Sequence, residues 1–172
     1  MEFRIGITGH RPNKLPCQYD WDNAHAVMIR KWMRGHVFEL KNKPGTELKA
    51  CTGMALGADL FFAAVCYWED VPFKAFCPCW GQENKWPTES QDRYMSLLRK
   101  AEEIIYVHNG PYPGPQCMIE RNQAMADWLK GSKHSLLLAI WNGDLKGGTA
   151  DMIKRAKQAG LEILVLDPSK QE

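Results

Sequence analysis

The chain reads Cys51-Thr52-Gly53-Met54-Ala55-Leu56-Gly57-Ala58-Asp59 where a predicted strand meets a predicted helix. Residues 48–52 favour a strand, and the apolar residues 60–65 continue as a helix. Two glycines four residues apart let a ligand approach the backbone, and the free N–H groups of a helix start suit a phosphate. Asp59 complements the helix dipole or accepts a hydrogen bond from a ribose hydroxyl. A tight turn with a stabilising acid fits the same residues, so the other motifs decide between the two interpretations.

Composition fits a single domain over residues 1–172. The chain is 45% hydrophobic, which suits one sizeable core, and its formal net charge is +2. A nearly neutral chain without a basic run disfavours binding to nucleic acid or to an anionic membrane. No apolar run approaches the roughly 20 residues that span a bilayer.

The cysteines predict a reducing compartment. Six are present, none forms a C-x-x-C pair, and no signal peptide is recognised before them. The pair Cys77 and Cys79 is spaced too tightly for an ordinary zinc half-site. We therefore expect a cytoplasmic protein with no metal and no cofactor.

Strands and helices alternate along the chain. The apolar patterns predict strands at 3–8, 48–52, 71–77, 104–107, 135–141 and 161–166, and helices at 21–40, 57–68, 88–101, 116–130 and 150–159. This alternation predicts an α/β fold, a Rossmann-like open, mostly parallel sheet with helices on both faces. In such sheets ligands bind in the crevice beyond the carboxyl ends of the strands.

Two features follow the third predicted strand. The segment 78–87 is long for an α/β connection and lacks periodicity, which predicts a lid or binding element. The sequence Thr88-Glu89-Ser90-Gln91 predicts a capping box at the start of the next helix.

Several motifs fall at the edge where ligands are expected. Arg11 follows the first strand, where it either grips a phosphate or is an exposed loop arginine. Arg121 and Asn122 lie on the apolar stripe of the helix 116–130, so they face a cavity or form a structural ion pair. A second glycine-rich turn opens the last helix. The predicted ligand-binding residues are Gly9, His10, Arg11, Thr52, Gly53, Gly57, Asp59, Arg121, Asn122, Gly147, Gly148 and Thr149.

The order of these motifs resembles that of YpsA-like proteins in the SLOG (SMF/DprA and LOG) superfamily. The motifs are Thr8-Gly9-His10-Arg11-Pro12, Gly53-x-x-x-Gly57-x-Asp59, Gln82-x-x-x-Trp86, Arg121-Asn122-x-x-Met125-x-Asp127 and Gly147-Gly148-Thr149. The resemblance covers nearly the whole chain. It implies a Rossmann-like fold with a pocket for a nucleotide or nucleotide-derived small molecule.

A more distant resemblance is to LOG enzymes, which hydrolyse the N-glycosidic bond of cytokinin nucleoside monophosphates. It implies that Arg121 is catalytic if the protein is an enzyme. The catalytic glutamate of that pattern falls on Met152, and the nearest acid, Asp151, is turned by about 100° on a helix. A hydrolase needs a carboxylate against the sugar, which leaves Asp59 or Asp127 as alternatives.

Three functions remain open from the sequence. The first is a sensor or sequestering module for a nucleotide or an NAD- or ADP-ribose-like signal. The second is a nucleotide N-glycosidase, that is, a phosphoribohydrolase. The third is an interaction protein with a vestigial pocket, suggested by the seven tryptophans. Self-association into a homo-oligomer is a further prediction.

Overall fold

A computed structural model describes residues 1–170 as a parallel sheet of six strands with five α-helices. The elements in chain order are β1 (Glu2–Gly9), α1 (Ala24–Lys41), β2 (Glu47–Thr52), α2 (Ala58–Trp68), β3 (Phe73–Cys77), α3 (Thr88–Leu98), β4 (Glu103–Tyr106), α4 (Gln116–Lys130), β5 (His134–Ile140), α5 (Gly148–Gln158) and β6 (Glu162–Leu166). Short 3₁₀ turns lie at Pro12–Lys14 and Pro168–Lys170. The predicted Rossmann-like α/β fold is confirmed.

The sheet has the strand order β4-β3-β2-β1-β5-β6, and every neighbouring pair is parallel. From β1 the chain moves outward to β4 on one side and then returns to place β5 and β6 on the other. The strand order therefore reverses between β1 and β5, and ligands of open α/β sheets bind in the crevice at such a point.

Alternate side chains of each strand pack into two apolar layers, one on each face of the sheet. In β5, Leu136, Leu138 and Ile140 join the core under α1, α2 and α3, whereas Leu137 packs with Met125 of α4 and other residues of α4 and α5. This two-residue alternation follows from the pleat of the strand. Because both faces of the sheet are covered, β5 is apolar throughout residues 136–140, as its sequence predicts.

Two local predictions were wrong. The capping box at the start of α3 does not form, because Thr88 is already the first helical residue and Pro87 occupies the N-cap without a side-chain bond. Gln91 instead donates its side-chain N–H groups to the carbonyl oxygens of Asn84 and Trp86. Helix α1 begins at Ala24 rather than near residue 21, since the Asn23 side chain caps it by accepting from the His25 N–H.

Within residues 1–170, no helix is both long and apolar enough to cross a membrane. All six cysteines are buried free thiols.

Candidate functional site

A cavity of about 490 Å³ opens at the carboxyl ends of β1 and β5, where the strand order reverses. Its walls come from the segment after β1, the start of α2, the first half of α4 and the start of α5. The lining residues are Ile7, Thr8, Gly9, His10, Arg11, Asn13, Lys14, Ala55, Asp59, Pro115, Met118, Ile119, Arg121, Asn122, Met125, Lys146, Gly147, Gly148, Thr149 and Asp151. Nine of the twelve residues predicted to bind ligand therefore lie on the wall of this one cavity.

His10 ties the segment after β1 to the segment after β5. Its side chain is buried, and its Nε2 accepts a hydrogen bond of 3.0 Å from the backbone N–H of Asn142. Burial lowers the pKa of the His10 imidazole, so the ring is neutral near pH 7 and carries its proton on Nδ1. The ring accordingly contributes a hydrogen-bonding group to the cavity wall without adding charge.

Positively charged side chains surround the mouth of the cavity. Arg11 is exposed there, and Lys146 precedes the start of α5. Lys14 reaches across to Asp144, with 2.8 Å between Nζ and Oδ2, so it is held close to the turn at Gly147. The sequence motifs do not identify the two lysines, because no local pattern marks them; they reach the site through the path of the chain.

The turn into α5 presents bare backbone to the cavity. Gly147 has φ +98°, and a β-carbon added at Gly148 would meet nothing within 4 Å. The first helical bond runs from the Asp151 N–H to the Gly147 carbonyl, so the N–H groups of the three intervening residues have no acceptor within the helix. Free N–H groups at the positive end of a helix dipole form an anion-binding element.

Arg121 and Asn122 place polar groups on the inner wall of the cavity, as their position on the apolar face of helix α4 predicts. Arg121 is buried, and its guanidinium donates from Nη1 to the Gly53 carbonyl oxygen at 2.7 Å and from Nε to Asn122 Oδ1 at 3.1 Å. Both acceptors are neutral, so these bonds hold the side chain in place without an ion pair. Burial lowers the pKa of Arg121 from its usual value, and the nearby Asp59 carboxylate opposes that shift.

Asp59 lies beside Arg121, and the absence of a side chain at Gly53 leaves room for both. A β-carbon added at Gly53 would lie 2.6 Å from Arg121 Nη1 and 2.9 Å from Asp59 Oδ2, so the missing side chain makes room for both groups. Asp59 is 7% exposed, and its Oδ2 accepts from the Ala55 N–H at 3.2 Å. Burial raises the pKa of this carboxyl to about 6, against the attraction of Arg121.

A second carboxylate reaches the cavity at Asp151, not at the following position. Its Oδ2 accepts from Asn122 Nδ2 at 3.0 Å and from Arg155 Nε at 2.9 Å. Burial acts to raise the pKa of Asp151, but these two hydrogen bonds outweigh burial and lower it. Met152, where LOG enzymes have their catalytic glutamate, packs instead into the core beneath α4.

The turn after β2 lies behind the cavity wall. Thr52 is fully buried and donates from Oγ1 to the Asp59 carbonyl oxygen, while Gly53 receives the Arg121 guanidinium. Gly57 packs against the segment after β1, since an added β-carbon would lie 2.5 Å from the His10 carbonyl oxygen. These three residues, predicted to touch ligand, thus support the residues that line the cavity and are not themselves on its wall.

Two further predicted elements lie away from the cavity. The segment 78–87 packs on α3: Gln82 donates from Nε2 to the Tyr94 hydroxyl at 3.3 Å, and the Trp86 ring meets the Tyr94 ring edge-on. Asp127 is exposed and accepts from the Gln123 side chain. Of the two carboxylates suggested as alternatives to the missing glutamate, only Asp59 lines the cavity.

In the described part of the chain, no group of three or more acidic, histidine or cysteine residues forms a metal-binding cluster.

Comparison with known proteins agrees with the motif order. The YpsA model, described as the YspA SLOG family, matches residues 5–170. A UPF0398 protein from Bacillus velezensis is 22% identical over 90% of this chain and 83% of its own length, and one from Bacillus pumilus is 25% identical over 89% and 81%. DNA processing protein A from Streptococcus pneumoniae shares the fold with a TM-score of 0.66 at 15% identity over 99% of this chain. The chain spans about half of that structure's length, covering 52% of it.

Proposed function

This chain belongs to the YspA SLOG family, and we propose that its cavity binds a nucleotide or nucleotide derivative. Membership of this family suggests a nucleotide-related function. NAD-like and ADP-ribose-like molecules are the derivatives we favour, and a sensor or sequestering module is the role. One observation carries the proposal. The turn at Gly147-Gly148-Thr149 presents unpaired backbone N–H groups to the cavity with no side chain between them and a ligand.

The charges around that turn fit a phosphate. Lys14 and Lys146 line the same side of the cavity, and Arg11 extends from the neighbouring segment. Backbone N–H groups give directional hydrogen bonds, while the lysines act as point charges near the same oxygens. An anion at this turn therefore gains both the helix dipole and the side-chain charges.

The remaining wall fits the uncharged part of a nucleotide. Pro115, Met118 and Ile119, at the start of α4 and just before it, contribute apolar surface, and Met125 lies one to two turns further along. Small-molecule sites typically combine such an apolar wall with a few placed polar groups. A cavity of about 490 Å³ is within the size range of these sites.

A phosphoribohydrolase is the second candidate, favoured by the carboxylate of Asp59 beside Arg121 on the cavity wall. Hydrolysis of the N-glycosidic bond adds one water across it and releases the free base and a ribose phosphate. A carboxylate near the anomeric carbon would stabilise the positive charge that develops there. The loss of the glutamate at Met152 is the reason that binding without hydrolysis ranks first.

The test combines calorimetric titration with a search for released base. The purified protein is titrated with the four ribonucleoside monophosphates, NAD and ADP-ribose, and parallel samples are analysed by chromatography for free base or nicotinamide. We expect binding to at least one of these compounds, no base release, and loss of binding in Arg121→Ala. The matched control is Arg99→Ala, an exposed arginine at the end of α3, which should bind as wild type does.

The outcomes separate the candidates. Base release that disappears in Arg121→Ala would establish the hydrolase instead of the binding module. Absence of binding to every compound would contradict both and favour an interaction protein with an unused pocket.

A further inference from the structure

Asp59 is a buried carboxylate with one oxygen left unpaired beside the cavity. Its Oδ2 accepts from the Ala55 N–H, and within residues 1–170 no hydrogen bond is found to Oδ1. The side chain is more than nine-tenths buried, yet it lines the cavity wall. An ionised carboxylate is an acceptor only, so the free oxygen, which is open to the cavity, is available to a hydrogen-bond donor on a ligand.

The charge of Asp59 restricts which part of a nucleotide lies there. A phosphate would be repelled by the carboxylate of Asp59, which forms no ion pair among the described residues. At the turn into α5 the nearby carboxylate of Asp151 is instead ion-paired with Arg155, with 2.9 Å between Oδ2 and Nε, so its charge opposes a phosphate less. The nearest charged neighbours of Asp59 are Arg121 from α4 and Arg11 after β1, both positive, which favour its ionised form. A hydroxyl group donates to a carboxylate without bringing charge, and such charge-assisted bonds are about twice as strong as neutral ones.

Asp59 and the phosphate turn are separate parts of one cavity wall. Helix α2 follows β2 and helix α5 follows β5, β1 lies between those strands, and the two helices cover opposite faces of the sheet. Two strand spacings along the sheet alone amount to about 10 Å, so a phosphate bound at the turn does not also occupy the site beside Asp59. The sugar of the same nucleotide extends from that phosphate toward Asp59, and the base is then left for the apolar wall of α4.

We infer that Asp59 binds the ribose hydroxyls of the ligand and thereby selects ribonucleotides over their deoxy counterparts. This inference rests on the proposed function, since it presumes a nucleotide in the cavity. It adds the sugar specificity of the site and the residue that determines it. Arg121 acts with Asp59 by holding the carboxylate in its ionised form.

The experiment compares each ribonucleoside monophosphate with its 2′-deoxy and 3′-deoxy counterparts by calorimetric titration at pH 7.5. For the ribonucleotide that binds wild type most tightly, we expect at least one deoxy counterpart to bind about 10-fold more weakly or worse. Asp59→Ala should bring that ratio close to one by weakening the ribonucleotide alone. Asp59→Asn, which retains the shape of the side chain and a neutral acceptor, should give an intermediate ratio, and Asp127→Ala on the exposed face of α4 should keep the wild-type ratio.

The ratio separates a sugar-binding role from a supporting one. If Asp59 serves only to hold Arg121, Asp59→Ala weakens ribo- and deoxyribonucleotides equally and the inference is overturned. If wild type binds all three sugars equally but needs the phosphate, the inference fails while the proposed function stands. If no nucleotide binds at all, both fail together.

Discussion

Two strand-to-helix turns of this protein share a sequence pattern but differ in what covers them. The turn after β2 ends in Gly57 with φ +87°, and the turn after β5 ends in Gly147 with φ +98°. Each glycine is the N-cap of its helix, and neither helix has a side-chain cap. At Gly57 the backbone of the segment after β1 lies against the turn, and the Ala58 N–H donates to the His10 carbonyl oxygen. At the turn containing Gly147 no backbone segment packs against the glycines, and the turn opens into the cavity.

A glycine-rich turn can bind an anion only while its N–H groups are free, and of these two turns the one after β5 keeps them free. Both turns have an N-cap glycine with positive φ and offer the positive end of a helix dipole. Each helix has an acid in its first turn, Asp59 in α2 and Asp151 in α5, so the acids do not distinguish the two turns. The difference is that packing against His10 uses the first of these N–H groups in the turn after β2. Gly53 and Gly57 thus make room for packing around Asp59 and His10, whereas Gly147 and Gly148 leave backbone N–H groups open to the cavity, where we propose that a phosphate binds.

The largest effect expected from this comparison is on stability at Gly57. Gly57→Ala places a β-carbon 2.5 Å from the His10 carbonyl oxygen and forces an alanine into a backbone region that glycine alone adopts easily. We expect the free energy of unfolding to fall by about 3 kcal/mol or more, and Tm by roughly 10 °C. Urea and thermal unfolding curves measure both quantities. Gly148→Ala is the matched control, because its β-carbon meets open space, and equal losses in the two variants would contradict the comparison.

The next effect is on ligand affinity at Gly148. Gly148→Val puts a branched side chain over the N–H groups of the α5 turn, so a phosphate can no longer approach them. Binding of the preferred nucleotide should weaken about 100-fold, or roughly 2.7 kcal/mol, while Tm without ligand stays close to that of wild type. Calorimetric titration and a melting curve on the same variant test this. The corresponding nucleoside, which lacks the phosphate, should bind wild type and variant equally weakly; a large drop in Tm with unchanged affinity would show that Gly148 serves packing instead.

The smallest effect concerns the pH dependence of stability at Asp59. The pKa of this carboxyl is about 6 in the folded protein, above its ordinary value near 4, so between pH 4 and 6 the folded state binds more protons than the unfolded state. The free energy of unfolding therefore falls as pH rises through this range. Asp59→Asn removes the titration, and we expect the variant to gain about 2 kcal/mol over wild type on going from pH 4.5 to pH 7.5. Urea unfolding at the two pH values measures the gain, and Asp127→Asn, an exposed carboxylate, should show none.

Much of the site could be predicted because its residues are marked by local patterns. Arg121 and Asn122 stand out as polar residues on an apolar helical stripe, and the structure buries both beside the cavity. Gly148 stands out as a glycine between a strand and a helix. Lys14 and Lys146 could not be found in this way, because a lysine in a loop carries no sign of what faces it across the fold. Asp151 was expected to be turned by about 100° from the position of the LOG glutamate, yet it lines the cavity because the start of α5 faces Asn122 of α4.

The alternation of strands and helices, the family and the edge of the sheet where the cavity opens are all encoded in the amino-acid sequence. Those properties follow from the spacing of apolar residues and from turn residues within a few positions of one another. Three outcomes became visible only in the folded chain: which glycine turn is covered, that segment 78–87 packs on Tyr94, and that Asp151 rather than Met152 reaches the cavity. These outcomes depend on contacts between segments that are far apart in the sequence. The strand order brings the segment after β1 over one turn and away from the other, and no local propensity encodes that choice.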